Sequence, residues 1–141
     1  MTTETIPAQA EILPRVRRCI VKSTGVAPDG VEPPRTLVHD MGVDSIDLID
    51  MLFEIEREFG ITLGVGDFER MARKITGDEP FAVDQRITPA GLRSLQILMP
   101  EIPREKFREG MSVPEIPLLV TVGTLCSMVE RRLSEKAAGH A

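Results

Sequence analysis

The chain has 141 residues, 42% hydrophobic and 28% charged, a length and balance that fit one globular domain with its own core and exclude a disordered segment. Aromatic residues make up 4%, with neither Trp nor Tyr, so the core is expected to be aliphatic and Met-rich, and a nucleic-acid partner loses its usual stacking platforms. Net charge is −5, and residues 44–59 alone carry it, with six carboxylates against Arg57, a patch that repels phosphate backbones and attracts basic surfaces.

The N-terminal stretch MTTETIPAQAEIL has neither the basic nor the apolar region of a signal peptide, and residues 1–12 read as a tail. No apolar run approaches the length needed to cross a bilayer, so membrane insertion is not expected and a cytoplasmic location is. A first helix follows, with Pro14 in the first turn, where its missing N–H is not needed. Val16, Cys19 and Ile20 recur at helical spacing, Arg15, Arg17, Arg18 and Lys22 are expected to face water, and Gly25 ends the helix. Residues 26–43 form a long loop in which Pro28, Pro33 and Pro34 forbid a helix. Val26, Val31, Leu37 and Met41 are its candidate anchors to the core.

The next stretch, GVDSIDLIDMLFEIEREFGI (42–61), is the most informative. A second helix starts at Asp44 or Ser45, either a competent N-cap, with Asp47 in the acidic first turn, and runs to Phe59 before Gly60. It carries two apolar stripes. Leu48, Leu52, Ile55 and Phe59 form one suited to a core. Ile46, Ile49 and Phe53 form another, bordered by Asp47, Asp50 and Glu54, which is either packed inside or an exposed docking patch with an acidic rim. A third helix is read in GVGDFERMARKITG, with Val65, Phe68, Ala72 and Ile75 on one face and Gly77 as its stop.

Residues 76–117 hold six of the eleven prolines, against none in 44–75, and read as an ordered, proline-punctuated insertion. Within it TPAGLRSLQILMP predicts a short helix capped by Thr88, with Pro89 in the first turn and Leu92, Leu95 and Met99 aligned; PREKFREG predicts another turn or two. The last helix starts from Thr121, with Val122, Leu125, Val129 and Leu133 as its stripe, and residues 135–141 form a tail. No strand-like alternation of useful length is present, so the fold class is all-α. Cys19 and Cys126 sit in apolar helical patterns and read as buried thiols; two Cys and two His offer no metal set.

Ser45 has several readings. A hydrolase nucleophile needs a tight G-x-S-x-G elbow and a histidine, whereas Gly42 lies three residues upstream, no glycine follows, and only His39 and His140 exist. A calcium loop from Asp40 puts Gly42, Ser45 and Met51 where ligands or a glycine are required. His39-Asp40 lacks companion ligands and reads as a loop anchor. A plain helix cap remains open.

Leu37, Asp40, Met41-Gly42, Asp44-Ser45-Ile46-Asp47, the acidic helix and Glu58-Phe59-Gly60-Ile61, followed by Thr121-Val122-Gly123-Thr124-Leu125, resemble the acyl carrier proteins over residues 13–75 and 117–134. The resemblance implies a four-helix bundle in a single carrier domain, 1–141, with 76–117 as an extra helical insertion between the third and fourth helices. It implies that Ser45, flanked by Gly42 and Asp44, is the attachment point of 4'-phosphopantetheine, transferred from coenzyme A by a phosphopantetheinyl transferase. The arm would hold an acyl group as a thioester, with no catalysis by the chain itself. Asp47, Asp50, Glu54 and Glu56 would then present acid, and Ile46, Ile49 and Phe53 apolar contact, to acyl-transferring or ketoacyl-synthase-type enzymes with basic docking surfaces. The dense acid favours fatty-acid, lipid or polyketide biosynthesis over peptide assembly, and a monomer is expected.

Two departures from the family pattern stand out. Arg57 interrupts the acidic run, and the insertion is expected to cap or widen the acyl pocket or to add a docking surface. The alternative to a carrier is an unmodified helical interaction module of the same fold.

Overall fold

The structure, a computed structural model, describes residues 9–64 and 66–139. In chain order it contains α1 (Gln9–Thr24), α2 (Ser45–Phe59), α3 (Asp67–Thr76), β1 (Ala82–Val83), β2 (Arg86–Ile87), α4 (Pro89–Leu98), α5 (Ile116–Leu119) and α6 (Val122–Ala137). The fold is thus predominantly helical, as the apolar spacing predicts. It divides into two compact units, one made of residues up to Leu63 together with those from Thr121 onward, the other of Gly64–Val120.

In the first unit α1 packs against both α2 and α6. Its buried residues are aliphatic: Ile12, Val16, Ile20, Met51, Ile55, Val122, Leu125 and Val129 are all 1% exposed or less. Each such side chain contributes about 1.5–3 kcal/mol relative to leaving it in water. The loop between α1 and α2 is tied down by Val31, Leu37 and Val43, all buried, while Val26 and Met41 are half-buried. The start of α6 seals that loop: Val122 N–H donates to the Arg35 carbonyl at 3.0 Å and Gly123 N–H to the Pro33 carbonyl at 2.9 Å. Thr121 caps α6 through its hydroxyl, which accepts from Thr124 N–H at 3.1 Å.

α1 begins earlier than expected. The tail read as 1–12 gives up its last four residues to the helix, and Pro14 lies inside α1 rather than in its first turn. The proline costs one backbone hydrogen bond, and the burial of Ile12, two residues back, offsets it. The basic residues of α1 also do more than face water. Arg15 Nε donates to Glu58 Oε2 at 2.7 Å, and Arg17 donates to the Val31 carbonyl at 3.1 Å.

In the second unit α3 packs on α4. Ala72 is fully buried, but Ile75, expected on the same face, is 41% exposed. Val65 and the Phe68 side chain lie outside the described residues. Asp67, buried in the first turn of α3, accepts from Gly64 N–H at 2.7 Å and pairs with Arg70. The region read as lacking strands holds a two-residue hairpin, with Ala82 opposite Ile87 and Val83 opposite Arg86. Asp84 and Gln85 both take positive φ at its tip, the conformation that matches the twist of the flanking strands. Residues 111–113 extend the ladder, with Ile87 N–H donating to the Met111 carbonyl and Val113 N–H to the Gln85 carbonyl, each at 2.8 Å.

α4 follows its sequence signals: the Thr88 hydroxyl accepts from Gly91 N–H at 3.0 Å, and Leu92, Leu95, Leu98 and Met99 are buried. Gly91 is dictated by space, because a Cβ there would come within 2.3 Å of the Phe81 carbonyl oxygen.

Candidate functional site

Three residues before the serine, the backbone turns sharply into α2. Gly42 takes φ +71°, a left-handed conformation that a side chain disfavours. Its N–H donates to the Val38 carbonyl at 3.1 Å, and Val43 N–H donates to the Leu37 carbonyl at 2.9 Å. Upstream, Asp40 clamps the loop on itself: its Oδ2 accepts from Thr36 N–H at 2.8 Å, while its own N–H donates to Thr36 Oγ1 at 3.0 Å. The Thr36 backbone bond holds the Asp40 carboxyl below the usual carboxylate range. Arg35 completes the clamp by donating to the Asp40 carbonyl at 2.7 Å and the Gly30 carbonyl at 3.1 Å. The reading of Asp40 as a loop anchor is therefore met by named contacts.

Of the two candidate caps, Asp44 is the one used. Its Oδ1 accepts from Asp47 N–H at 2.8 Å, and its carbonyl accepts from Leu48 N–H at 2.9 Å. Ser45 is thereby the first residue of α2, exposed, with its hydroxyl relieved of capping. The amides of Ser45 and Ile46 precede the first intrahelical bonds, so the positive end of the helix faces solvent beside that hydroxyl.

The second apolar stripe of α2 is exposed: Ile46 by 70%, Ile49 by 47% and Phe53 by 59%. The buried face consists of Met51, Leu52, Ile55 and Phe59, with Leu48 half-buried. Met51 falls outside the expected inward stripe, yet it is fully buried.

The acids of α2 fall into two groups. Asp44, Asp47 and Asp50 form no ion pair among the described residues. Toward the other end the acids are engaged internally. Lys22 lies 3.2 Å from Glu54, and Arg57 lies 3.6 Å from its other oxygen. Glu56 accepts from Leu63 N–H at 2.6 Å. Glu58 is held by Arg15 at 2.7 Å and Arg18 at 3.6 Å, and Arg15 also donates to the Glu58 carbonyl at 2.9 Å. The helix end is closed by Gly60 in the left-handed region, whose carbonyl accepts from Lys136 at 2.8 Å, and by Arg132, which donates to the Thr62 carbonyl at 2.9 Å. Sequence reasoning missed these partners, although Arg15, Arg18 and Lys22, at offsets 0, 3 and 7, already share a helical face in the sequence.

Neither cysteine belongs to this site. Cys19 is buried, Cys126 half-buried, and both are free; burial pushes each thiol up to about 11. Among the described residues there is no group of three or more potential metal ligands, and no helix is long and apolar enough to cross a membrane.

A phosphodiester on Ser45 fits this geometry. The residue that would carry it is exposed, and the helix N-terminus favours an anion.

The family described as phosphopantetheine attachment site matches residues 14–75. An acyl carrier protein of Campylobacter hominis is 31% identical over 61 residues, which cover 43% of this chain and 77% of the relative. An acyl carrier protein of Thermotoga maritima is 32% identical over 65 residues, 46% of this chain and 80% of the relative. No solved structure matches the chain.

Proposed function

The chain belongs to the acyl carrier protein family, and on that premise we propose that Ser45 is the residue that carries its prosthetic group. Members of this family are carriers rather than enzymes, and the group they carry is 4'-phosphopantetheine. The arm supplies a terminal thiol on which an acyl group is held as a thioester. The chain's own residues present the attachment oxygen and the surface that partners read.

The observation that carries the assignment is the division of labour between Asp44 and Ser45. Asp44 takes over the capping of α2, so the adjacent hydroxyl is exposed and available. Gly42 and the Asp40 clamp fix the approach of the loop to that turn. A phosphopantetheinyl transferase then joins Ser45 Oγ to the phosphate of the arm, displacing the nucleotide portion of coenzyme A.

Docking of the acyl-handling partners falls on Ile46, Ile49 and Phe53, rimmed by Asp47 and Asp50; Glu54 and Glu56 contribute less, since both already have intramolecular partners. A basic, apolar-lined partner surface suits this face. We assign the carrier to acyl-chain assembly of the fatty-acid, lipid or polyketide kind on the strength of that acidity.

The test is intact mass after incubation with coenzyme A and a broad-specificity phosphopantetheinyl transferase, with wild type beside Ser45→Ala. One phosphopantetheine increment on the wild type and none on the variant is the expected result. No increment with several transferases would turn the reading to an unmodified interaction module, and an increment on the variant would move the attachment elsewhere.

A further inference from the structure

The outward face of α4 and the segment after it line an open groove of about 450 Å³, formed by Arg93, Gln96, Ile97, Pro100, Ile102 and Arg104. That volume falls in the range of small-molecule sites. Its make-up is two-sided. Ile102 is buried at 6%, while Ile97 is 59% exposed, a large apolar side chain left in water. Two guanidinium groups flank this apolar ground. Arg93 lies 3.6 Å from Glu79, with both side chains about two-thirds exposed, at 66% and 65%, a contact that a competing anion displaces at little cost. Arg104 forms no ion pair among the described residues. Gln96 adds an amide able to donate to an oxygen.

An apolar floor takes an aliphatic chain, and a planar guanidinium takes a carboxylate through two parallel N–H bonds. We infer that this groove is a binding site for a short aliphatic carboxylate, with Arg93 and Arg104 on the carboxylate and Ile97, Pro100 and Ile102 along the chain. Every lining residue comes from the second unit, away from Ser45 in sequence, so the site goes beyond the carrier role and does not depend on it.

The experiment is an amide NMR titration of the full-length isotopically labelled protein, not loaded with the arm, using octanoate, with octanol and acetate as separate arms. Octanoate is expected to shift the amides of residues 93–104 in a saturable way, octanol to bind at least tenfold more weakly, and acetate to leave them in place. Arg104→Gln and Arg93→Gln are each expected to weaken octanoate about tenfold. Ile97→Asp, at an exposed position that leaves the fold intact, is expected to abolish binding. Shifts confined to other residues, octanol binding as tightly as octanoate, or undiminished affinity in both arginine variants would each overturn the inference.

Discussion

Asp44 Oδ1 and the backbone N–H of Asp47 lie 2.8 Å apart, so the residue that caps α2 immediately precedes the serine proposed to be modified. Asp44→Ala is expected to destabilise the protein by about 1 kcal/mol, the usual worth of an N-cap. Asp44→Asn retains an oxygen acceptor and is expected to cost less. Urea unfolding measures both, and transferase rates on the same variants separate the cap from the charge. If Asp44→Asn is loaded as slowly as Asp44→Ala, the charge rather than the cap governs modification.

The split among the acids of α2 predicts a footprint. Asp50 is exposed and unpaired among the described residues, so Asp50→Lys is expected to slow loading or acyl transfer about tenfold at low salt, an effect that fades as salt rises. Glu58 is engaged by Arg15 and Arg18, so Glu58→Gln is expected to cost less than about 1 kcal/mol of stability and to leave transfer rates within twofold. Equal kinetic losses from the two changes would show that partners read the whole helix.

Asp40 gives the loop a dependence on pH. Its carboxyl pKa is lowered in the folded protein, chiefly by the Thr36 backbone bond. A lowered pKa contributes stability that is present above the unfolded value, roughly 3.9, and is lost as pH falls through the folded value. The Thr36 amide is therefore expected to be protected from hydrogen exchange at neutral pH and to lose protection in acid. Asp40→Ala removes that protection at every pH, while Asp40→Asn retains part of it. An unchanged Thr36 amide in Asp40→Ala would refute the clamp.

The two thiols predict a clean background for work on the loaded protein. Burial raises Cys19 and Cys126 to about 11, so at pH 8 both are protonated and slow to react. The sign for stability is opposite to that of Asp40: the raised thiols favour the folded state below the unfolded value of 9.0, and the contribution fades as pH climbs toward 11. Titration with a disulfide reagent at pH 8 is expected to count one fast thiol per phosphopantetheine-loaded molecule and none before loading, with the two cysteines appearing in urea. A fast thiol before loading would contradict the burial of these residues.

Much of this was legible in the sequence because local signals and packing agree. Gly25 and Gly60 stand where helices stop, Thr88 and Thr121 where they start, and the Asp-Ser pair narrows the beginning of α2 to two adjacent residues. The exposed stripe of Ile46, Ile49 and Phe53 was visible as a second apolar face, although spacing alone left open whether it was buried. Met51 stands three residues after Leu48 and four before Ile55, the spacing of the inward stripe itself, so its burial was legible although the stripe as read left it out. Pro14 points to a helix start by local rule, and only tertiary burial of Ile12 extends α1 past it. The hairpin escaped because two-residue strands have no alternation to read. Pairing of Glu54 and Glu58 with α1 joins residues 32 to 43 positions apart, beyond the reach of any helical spacing rule.

The unit that bears Ser45 is assembled from two separated pieces of chain, with Gly64–Val120 forming a compact unit of its own between them. On a ribosome that order has a consequence. The intervening unit is contiguous and can complete itself as soon as it emerges, whereas α1 and α2 must wait for α6 to supply Val122, Leu125 and Val129. The same late segment holds the loop before Ser45 through Arg35 and Pro33, and the end of α2 through Gly60 and Thr62. A nascent chain therefore shows its serine in an unfinished setting until α6 has emerged. A transferase that recognises the finished turn acts only on a chain whose α6 is already in place.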